Sequence, residues 1–306
     1  MSEVSPTLAV DNPAVVPRRR RRVDSMLLAS PAMLFVFVVF VIPFFTFAVY
    51  SVLTSELFSI GPPVTLDSYR HAIESDSVRT LAYNAGLIGA IVAFVTVAAA
   101  LPIAYWLRFC AGRWRLPVLF LITSTVIASY LVRIYAWRSV LGTHGLANSA
   151  LESLGLIDHP LNFLLFNRFA VGIALVHIFL PYVVLLLYAS FGPMPSALLE
   201  CAQDLGAGAF RRWTRVIIPL MAPPLLSSWM LVFVLSAGDY VTPQLLGGTT
   251  GVMIGVEVQN QFKSVGDYAS GAAISFLMLG AFALTYALLR LTMHFAKVPQ
   301  RIEWSS

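Results

Sequence analysis

Six long stretches of the chain contain no Asp, Glu, Lys or Arg. They cover residues 25–55, 80–107, 116–132, 169–199, 216–238 and 268–289. A helix needs about 20 predominantly apolar residues to cross a bilayer. The pattern therefore predicts an all-α, polytopic membrane protein with six transmembrane helices.

Two further uncharged stretches, residues 139–151 and 240–256, are poor candidates for membrane spans. The first is short and the second contains four glycines and Pro243. Irregular backbone at membrane depth is tolerated only where protein buries it or where it lines a cavity. We therefore expect both stretches to be loops, with re-entrant loops as the alternative.

The composition of the 306 residues agrees with a membrane protein. Hydrophobic residues make up 58% and charged residues 11%, whereas a soluble domain is about 25% charged. Such a chain is neither disordered nor a default nucleic-acid binder, despite its net charge of +5. Cys110 and Cys201 lack the spacing of a metal site, and the sequence predicts no metal and no disulfide.

The basic residues indicate the orientation of the spans. With a cytoplasmic N-terminus, 14 of the 20 basic residues lie in cytoplasmic segments, including the arginine run at 18–22. The positive-inside rule then places both termini in the cytoplasm. The expected organisation is a disordered cytoplasmic tail over 1–24, a six-helix domain over 25–296 and a cytoplasmic tail over 297–306. The arginine run is interpreted as a topology and lipid anchor.

The cytoplasmic segment between the fourth and fifth spans has a pattern of its own. Pro193 and Pro195 end the fourth span, Ser196 is a suitable N-cap, and Gly206 is a natural helix stop. The spacing predicts a short amphipathic helix near residues 196–210. Its expected apolar face contains Leu198, Leu199, Ala202 and Leu205.

Two interpretations of this helix remain open from the pattern alone. It lies on the lipid surface, or it binds a protein partner. Glu200 and Asp204 stand one turn apart on it, and an anionic leaflet would repel them. The acidic face therefore favours a protein partner with basic or polar groups.

The same segment resembles the EAA loop of ABC importer permeases. The matching residues are Glu200, Cys201 and Ala202, then Gly206 at the family's spacing, and Pro219 at the end of the motif. The family pattern has Ala, Ile and Leu where this chain has Cys201, Val216 and Ile218. Segments 130–148 and 236–248 also resemble the polyamine (spermidine/putrescine) branch of these permeases.

The resemblance implies the MetI-like fold of a type I ABC importer permease in the bacterial plasma (inner) membrane. It implies three partners: a second permease, a dimer of ATPase subunits and an extracytoplasmic substrate-binding protein. The chain lacks a nucleotide-binding GxxxxGK[ST] loop, so ATP and Mg are expected on the ATPase. No cofactor and no catalytic residue are expected here. The residues expected to couple the permease to the ATPase are Glu200, Ala202, Asp204, Gly206, Ala207 and Phe210, with Phe210 filling a pocket or packing on the fifth span.

Acidic and aromatic residues near the outer ends of the spans are candidates for a substrate pathway. Polyamines are cations, and carboxylates together with aromatic faces suit them. The candidates are Asp239, Tyr240, Glu257, Asp267, Tyr130, Tyr135 and Trp137. The alternative is an interfacial aromatic belt with solvated acids. Arg133 and Arg138 are expected to pair with Asp239 or with acids of the binding protein, or to serve an anionic substrate.

Other functions remain as alternatives. An importer permease for ferric ion, a phosphonate or another small solute would keep the architecture. A secondary transporter would usually carry intramembrane charges, and the six runs contain none. His177 in the fourth span is interpreted as a structural hydrogen-bonding residue.

Overall fold

The structure is a computed structural model that describes residues 30–295 except residues 32, 57 and 58. The predicted tails over 1–24 and 297–306, with the arginine run, lie outside the described residues. The chain divides into two units, Met1–Val49 and Tyr50–Ser306.

The described part of the first unit is helical, and its continuous apolar helix, α1 (Met33–Tyr50), ends at the first residue of the second unit. It includes a π-helical turn at Phe37–Val41. None of its residues is buried. A helix that is apolar on all sides and exposed on all sides matches a membrane span, and the prediction of a first span is confirmed.

The second unit begins with a two-stranded hairpin that the sequence did not predict. Strand β1 (Leu53–Glu56) pairs antiparallel with β2 (Ser59–Val64). The short helix α2 (Asp67–Glu74) follows, and Ser75 caps the next helix by accepting a hydrogen bond from the Val78 amide. The hairpin is a small exception to an otherwise helical fold.

Ten further α-helices follow among the described residues of the second unit, besides 3₁₀ turns at Gly112–Trp114 and Asn162–Leu164 and a π-helical turn at Gln261–Val265. The long ones are α3 (Asp76–Phe109), α7 (Arg168–Ser190), α9 (Ala209–Ala237) and α12 (Tyr268–Phe295). The shorter ones are α4 (Arg115–Ile127), α5 (Tyr130–Leu141), α6 (Leu146–Ser153), α8 (Ser196–Asp204), α10 (Val241–Leu246) and α11 (Ile254–Asn260).

The core lies where α3 packs against α7 and α9. Small side chains allow these helices to approach closely, as is usual between membrane helices. An added Cβ at Gly89 of α3 would lie 3.0 Å from the Ala237 Cβ of α9. Buried alanines such as Ala93 and Ala174 line the same contacts.

The two ends of this helix bundle carry different structures. We call the end at which α3 and α7 begin and α9 ends the α10 end. We call the opposite end, at which α3 and α7 end and α9 begins, the α8 end. Arg108, at the C-terminus of α3, donates hydrogen bonds to the Phe191 and Gly192 carbonyls, which follow α7. This contact ties the two helices together at the α8 end.

The third predicted span differs from the expected continuous helix over 116–132. Helix α4 stops at Ile127, and the chain resumes as α5 at Tyr130 after a bend of 95°. Ala128 and Ser129 have extended backbone at the break. Among the described residues, five single helices are long and apolar enough to cross a membrane, and this bent pair makes a sixth span if it counts as one.

The two stretches expected to be loops contain short helices. Residues 139–151 include the end of α5 and most of α6, while 240–256 include α10 and the start of α11. Gly247, Gly248 and Gly251 occupy the turn between α10 and α11, whereas Gly255 is the second residue of α11. An added Cβ at Gly247 would lie 2.5 Å from the Pro243 carbonyl oxygen, and one at Gly251 would lie 2.6 Å from the Gly247 carbonyl oxygen. Only glycine fits where backbone approaches backbone this closely.

Candidate functional site

Helix α8 forms in the predicted place, but Ser196 does not cap it. The N-cap position is Pro195, whose backbone is extended, and Ser196 is the first helical residue. No side chain caps this helix end. The N-cap prediction was wrong by one residue, because the fixed backbone of proline already supplies a suitable entry to a helix.

The C-terminus of α8 is closed by Gly206 in the left-handed conformation, with φ of +76°. The Gly206 amide donates to the Gln203 carbonyl at 2.9 Å, and the Ala207 amide donates to the Ala202 carbonyl at 3.0 Å. These two bonds are the Schellman motif, which satisfies the last carbonyls of a helix. The helix stop predicted at Gly206 is therefore confirmed.

The buried face of α8 is smaller than the predicted apolar face. Leu199 is buried and Ala202 is half-buried, whereas Glu200 and Asp204 are exposed. Leu205 is 87% exposed and does not share the buried face. It lies past the last helical turn, at the C-cap, where the chain has already left the helical path.

Phe210 is also exposed, at 82%. It lies in the first turn of α9 itself, and its side chain does not pack against the bundle. The expected packing on the fifth span is therefore not seen, and the alternative, that Phe210 fills a pocket, stays a prediction. The aromatic ring beside it, Trp213, packs instead on Tyr105 of α3, with 5.0 Å between ring centroids. The α8 end therefore presents two large apolar side chains, Leu205 and Phe210, close to two exposed carboxylates.

The loop and side chains around α8 hold it against the bundle. Phe191 is fully buried and Met194 nearly so, on the chain that enters α8. The Arg212 guanidinium donates to the Gln203 side-chain oxygen at 3.2 Å. The helix is thus fixed at both ends, while Glu200 and Asp204 stay exposed and form no ion pair among the described residues.

At the α10 end, Tyr130 and Asp239 meet through a short hydrogen bond. The Tyr130 hydroxyl donates to the Asp239 Oδ2 at 2.7 Å and lies 2.8 Å from the Thr242 hydroxyl. The Asp239 carboxylate also accepts hydrogen bonds from the Val241 and Thr242 amides, at the start of α10. We call Tyr130, Asp239 and Thr242 the tyrosine–aspartate cluster.

Thr242 is the member of this cluster that sequence reasoning missed. The available signal was an Asp followed by Thr three residues later, a spacing that allows a side chain to cap the amides of a new helix. The spacing was not used because residues 240–256 were expected to form a loop without a helix.

Arg133 does not pair with Asp239, and no ion pair of either Arg133 or Arg138 occurs among the described residues. Arg133 is buried, and its Nη1 donates to the Ile178 carbonyl of α7 at 3.3 Å. Its Nε–H has no hydrogen-bond partner in the part of the chain that the structure describes. Arg138 lies over the Phe166 ring at 6.0 Å from the centroid.

Trp137 lies two turns beyond Tyr130 on α5 and contacts α7. Its indole N–H donates to His177 Nδ1 at 3.1 Å, and the two rings meet edge to face at 5.6 Å. His177 therefore accepts a hydrogen bond at Nδ1. This contact joins the bent span to α7 and agrees with a structural role for His177.

The remaining pathway candidates lie elsewhere. Tyr240 lines an apolar groove of about 570 Å³ that α9, α11 and α12 form together. Glu257 lines a polar cavity of about 220 Å³ and accepts a hydrogen bond from Gln261 at 2.7 Å. Asp267 caps α12 through the Ser270 amide, and Tyr135 is half exposed. The seven candidates do not form one site.

No group of three or more His, Cys, Asp or Glu side chains is placed to hold a metal ion within the part of the chain that the structure describes. Both cysteines are free and exposed.

Comparisons with known proteins give a consistent family. No family model matches the chain. The spermidine/putrescine transport system permease protein PotB of Escherichia coli (strain K12) is 33% identical over 227 residues, which cover 72% of this chain and 81% of PotB. The inner membrane ABC transporter permease protein YdcU of the same organism is 28% identical over 251 residues, or 76% of this chain and 77% of YdcU.

Solved structures show the same fold. A chain in the crystal structure of a bacterial alginate ABC transporter, in complex with an alginate pentasaccharide-bound periplasmic protein, matches with a TM-score of 0.70. The match covers 90% of this chain and 95% of the alginate transporter chain, at 14% sequence identity. The fold is that of an ABC importer permease, and the similarity to PotB extends over most of the sequence. The chain therefore belongs to the family of ABC transporter permeases that includes PotB.

Proposed function

We propose that this chain is the permease subunit of an ATP-driven importer of polyamines and forms half of the translocation pathway. PotB, a spermidine/putrescine transport permease that is 33% identical over 227 residues or 72% of this chain, supports spermidine and putrescine as substrates. Ferric ion, phosphonates and other small solutes stay as alternative substrates. Membership of the ABC permease family overturns the secondary-transporter alternative.

The proposed assembly contains four kinds of subunit. This chain pairs with a second permease, and a dimer of ATPase subunits binds ATP and Mg on the cytoplasmic side. A soluble binding protein delivers substrate from outside, as the periplasmic protein in the alginate transporter structure suggests by analogy. The complex lies in the bacterial inner membrane with both termini of this chain in the cytoplasm. The permease itself performs no covalent chemistry.

The observation that carries the proposal is the exposed surface of α8. Glu200 and Asp204 are exposed beside the apolar Leu205 and Phe210, and Gly206 stops the helix between them. Apolar side chains framed by charges are typical of a protein-binding surface. Ala202 and Ala207 are small, which allows close approach of a partner.

The mechanism follows from this attachment. ATP binding closes the ATPase dimer and moves α8 as a rigid body. Because α8 is fixed to α3 and α7 through the Phe191 loop and Arg108, its displacement tilts the bundle from inward-facing to outward-facing. Hydrolysis reverses the tilt. Transport then depends on the coupling free energy that links nucleotide binding to the inward-facing and outward-facing orientations of the bundle.

The tyrosine–aspartate cluster is the proposed contact for substrate. Asp239 provides a carboxylate for an ammonium group, and Tyr130 orients that carboxylate and offers an aromatic face. Tyr240, Glu257, Asp267, Tyr135 and Trp137 lie outside this cluster, and their place on the pathway stays a prediction. Asp267 already serves as a helix cap.

The test is ATPase activity of the reconstituted transporter with its two permeases, ATPase and binding protein. Spermidine or putrescine should stimulate the activity. Glu200→Ala, Leu205→Ser and Phe210→Ser should each lower the stimulation at least about tenfold, since interface side chains of this kind contribute about 1.4 kcal/mol or more when they dominate binding.

Matched controls separate this loss from misfolding. Leu154 is 71% exposed at the end of α6, and Leu154→Ser should leave stimulation unchanged. All four variants should keep the thermal unfolding temperature, because the altered side chains are exposed. Stimulation by another solute but by no polyamine would overturn the substrate, and normal ATPase binding by the Leu205 and Phe210 variants would overturn the docking surface.

A further inference from the structure

An apolar groove runs along the outside of the bundle between α3 and α7. Its volume is about 370 Å³, and it is lined by Ile88, Ile91 and Val95 of α3 and by Phe169, Gly172 and Val176 of α7. Gly172 deepens the groove because it has no side chain. An added Cβ at this position would contact only the Val92 side chain, at 4.0 Å.

Arg168 stands at one end of this groove and is the first residue of α7. Its Nε donates to the Thr250 carbonyl at 3.0 Å, which fixes the direction of the guanidinium group. No acidic side chain pairs with Arg168 among the described residues. The two terminal nitrogens remain available for an anion.

The length of the groove matches one leaflet of a membrane. From Arg168 to Val176 the helix rises about 12 Å at 1.5 Å per residue. Half of the hydrocarbon core of a bilayer is about 15 Å thick. Arg168 begins a membrane-spanning helix and so lies at the water interface, while Val176 lies near the middle of the bilayer.

We propose that this groove, formed by α3 and α7 and closed at one end by Arg168, binds one anionic phospholipid. The acyl chain lies against Ile91, Gly172 and Val176, and the phosphate binds the terminal nitrogens of Arg168. Guanidinium groups bind phosphate with two parallel hydrogen bonds. Basic pockets between membrane helices bind anionic lipid head groups on the cytoplasmic side of membranes, and we extend that chemistry to Arg168 at the α10 end.

The experiment is a lipid titration of the purified full chain in detergent, followed by native mass spectrometry. The two probes are dioleoylphosphatidylglycerol and dioleoylphosphatidylcholine. The wild type should bind one phosphatidylglycerol more tightly than phosphatidylcholine. Arg168→Gln should reduce this preference about fivefold, as expected for one basic residue near an anionic surface, and Arg168→Lys should retain most of it.

Gly172→Leu tests the groove independently of the charge. It should remove the tight site for both lipids, because the new side chain fills the space of the acyl chain. Gly280→Leu is the matched control, since Gly280 is exposed on α12 with no neighbouring atom within 4 Å of an added Cβ. Arg70→Gln is the charge control, because it removes an exposed arginine that lies outside the groove and pairs with Glu74. Neither control should change lipid binding.

Two results would overturn the proposal. One is wild-type lipid binding by both Arg168→Gln and Gly172→Leu. The other is loss of the lipid when the second permease is added, which would show that protein rather than lipid covers the groove. A folded, monodisperse Arg168→Lys variant that keeps the preference excludes misfolding as the cause of the loss in Arg168→Gln.

Discussion

The hydroxyl of Tyr130 bridges two partners that belong to different parts of the chain. It donates to Asp239 at 2.7 Å and contacts the fully buried Thr242 hydroxyl at 2.8 Å. A hydroxyl has one proton, so donation to the carboxylate leaves Tyr130 as the acceptor for Thr242. The bent span is thereby tied to the start of α10.

Tyr130→Phe should therefore destabilise the protein. The change leaves the buried Thr242 hydroxyl without this partner, and such a loss costs about 1–3 kcal/mol. The thermal unfolding temperature measured by intrinsic fluorescence should fall. Tyr135→Phe, on the exposed side of the same helix, should leave it unchanged, and equal effects of the two changes would contradict the structural role of the cluster.

Asp239→Asn separates charge from geometry at the same place. The amide oxygen can still accept from the Tyr130 hydroxyl and the Thr242 amide, and only the Val241 amide loses its acceptor. Stability should therefore fall no further than in Tyr130→Phe. If the carboxylate binds the ammonium group of a polyamine, the spermidine concentration for half-maximal ATPase stimulation should rise about tenfold or more, since a charged hydrogen bond contributes about 1.5–3 kcal/mol. An unchanged concentration would remove Asp239 from the pathway.

At the scale of single elements, α8 depends on its C-terminal glycine. The φ of +76° at Gly206 places it in a region that costs an ordinary L-residue roughly 1–2 kcal/mol. The Schellman bonds of Gly206 and Ala207 form only with that backbone conformation. The path of the chain from Leu205 to Phe210 therefore depends on the backbone conformation of residue 206.

Gly206→Ala should weaken coupling without unfolding the bundle. The strain falls on an exposed helix end, so ATPase binding and polyamine-stimulated hydrolysis should drop while the thermal unfolding temperature stays near that of the wild type. Gly208→Ala is the matched control, because Gly208 has φ of −62° and open space around an added Cβ. A Gly208→Ala variant as defective as Gly206→Ala would show that backbone conformation is not the cause.

The break between α4 and α5 is a second feature at this scale. Residues 116–132 carry no charge and were expected to form one helix. The chain bends at Ala128 instead, which turns Tyr130, Arg133 and Trp137 toward α7 and α10. The contacts of Tyr130 with Asp239 and of Trp137 with His177 stabilise the bent conformation. The hydrophobic pattern predicts neither contact.

At the scale of the whole molecule, the two cysteines report on the orientation of the chain. Cys110 follows α3 and Cys201 lies on α8, so both are at the α8 end and both are exposed. Under the proposed orientation, a membrane-impermeant maleimide should label both in inside-out vesicles and neither in intact spheroplasts. Ser153→Cys in a cysteine-free background, beyond the bent span, should give the reverse pattern. Labelling of Cys110 from outside would invert the topology.

The same thiols distinguish docking at α8 from a general change in accessibility. Addition of the ATPase subunits to inside-out vesicles should protect Cys201, which lies within the proposed docking surface. Cys110 lies outside that surface and should remain reactive. Protection of both or of neither would contradict docking centred on α8.

The hydrophobic pattern by itself determined the class and most of the architecture. Uncharged runs of about 20 residues have few alternatives to a membrane helix, because backbone polar groups in lipid must be satisfied within the segment. Local chemistry was also sufficient for the position of α8 and its stop at Gly206, since proline and glycine act through their own backbone.

Only the tertiary structure decided which distant residues meet. The sequence pattern grouped seven acidic and aromatic candidates by their position near the outer ends of the spans, yet only Tyr130 and Asp239 share a cluster, completed by Thr242. The sequence pattern also did not predict that Leu205 and Phe210 are exposed. Contacts between residues far apart in the chain depend on helix packing and bends, and the periodicity of one segment carries no information about its neighbours.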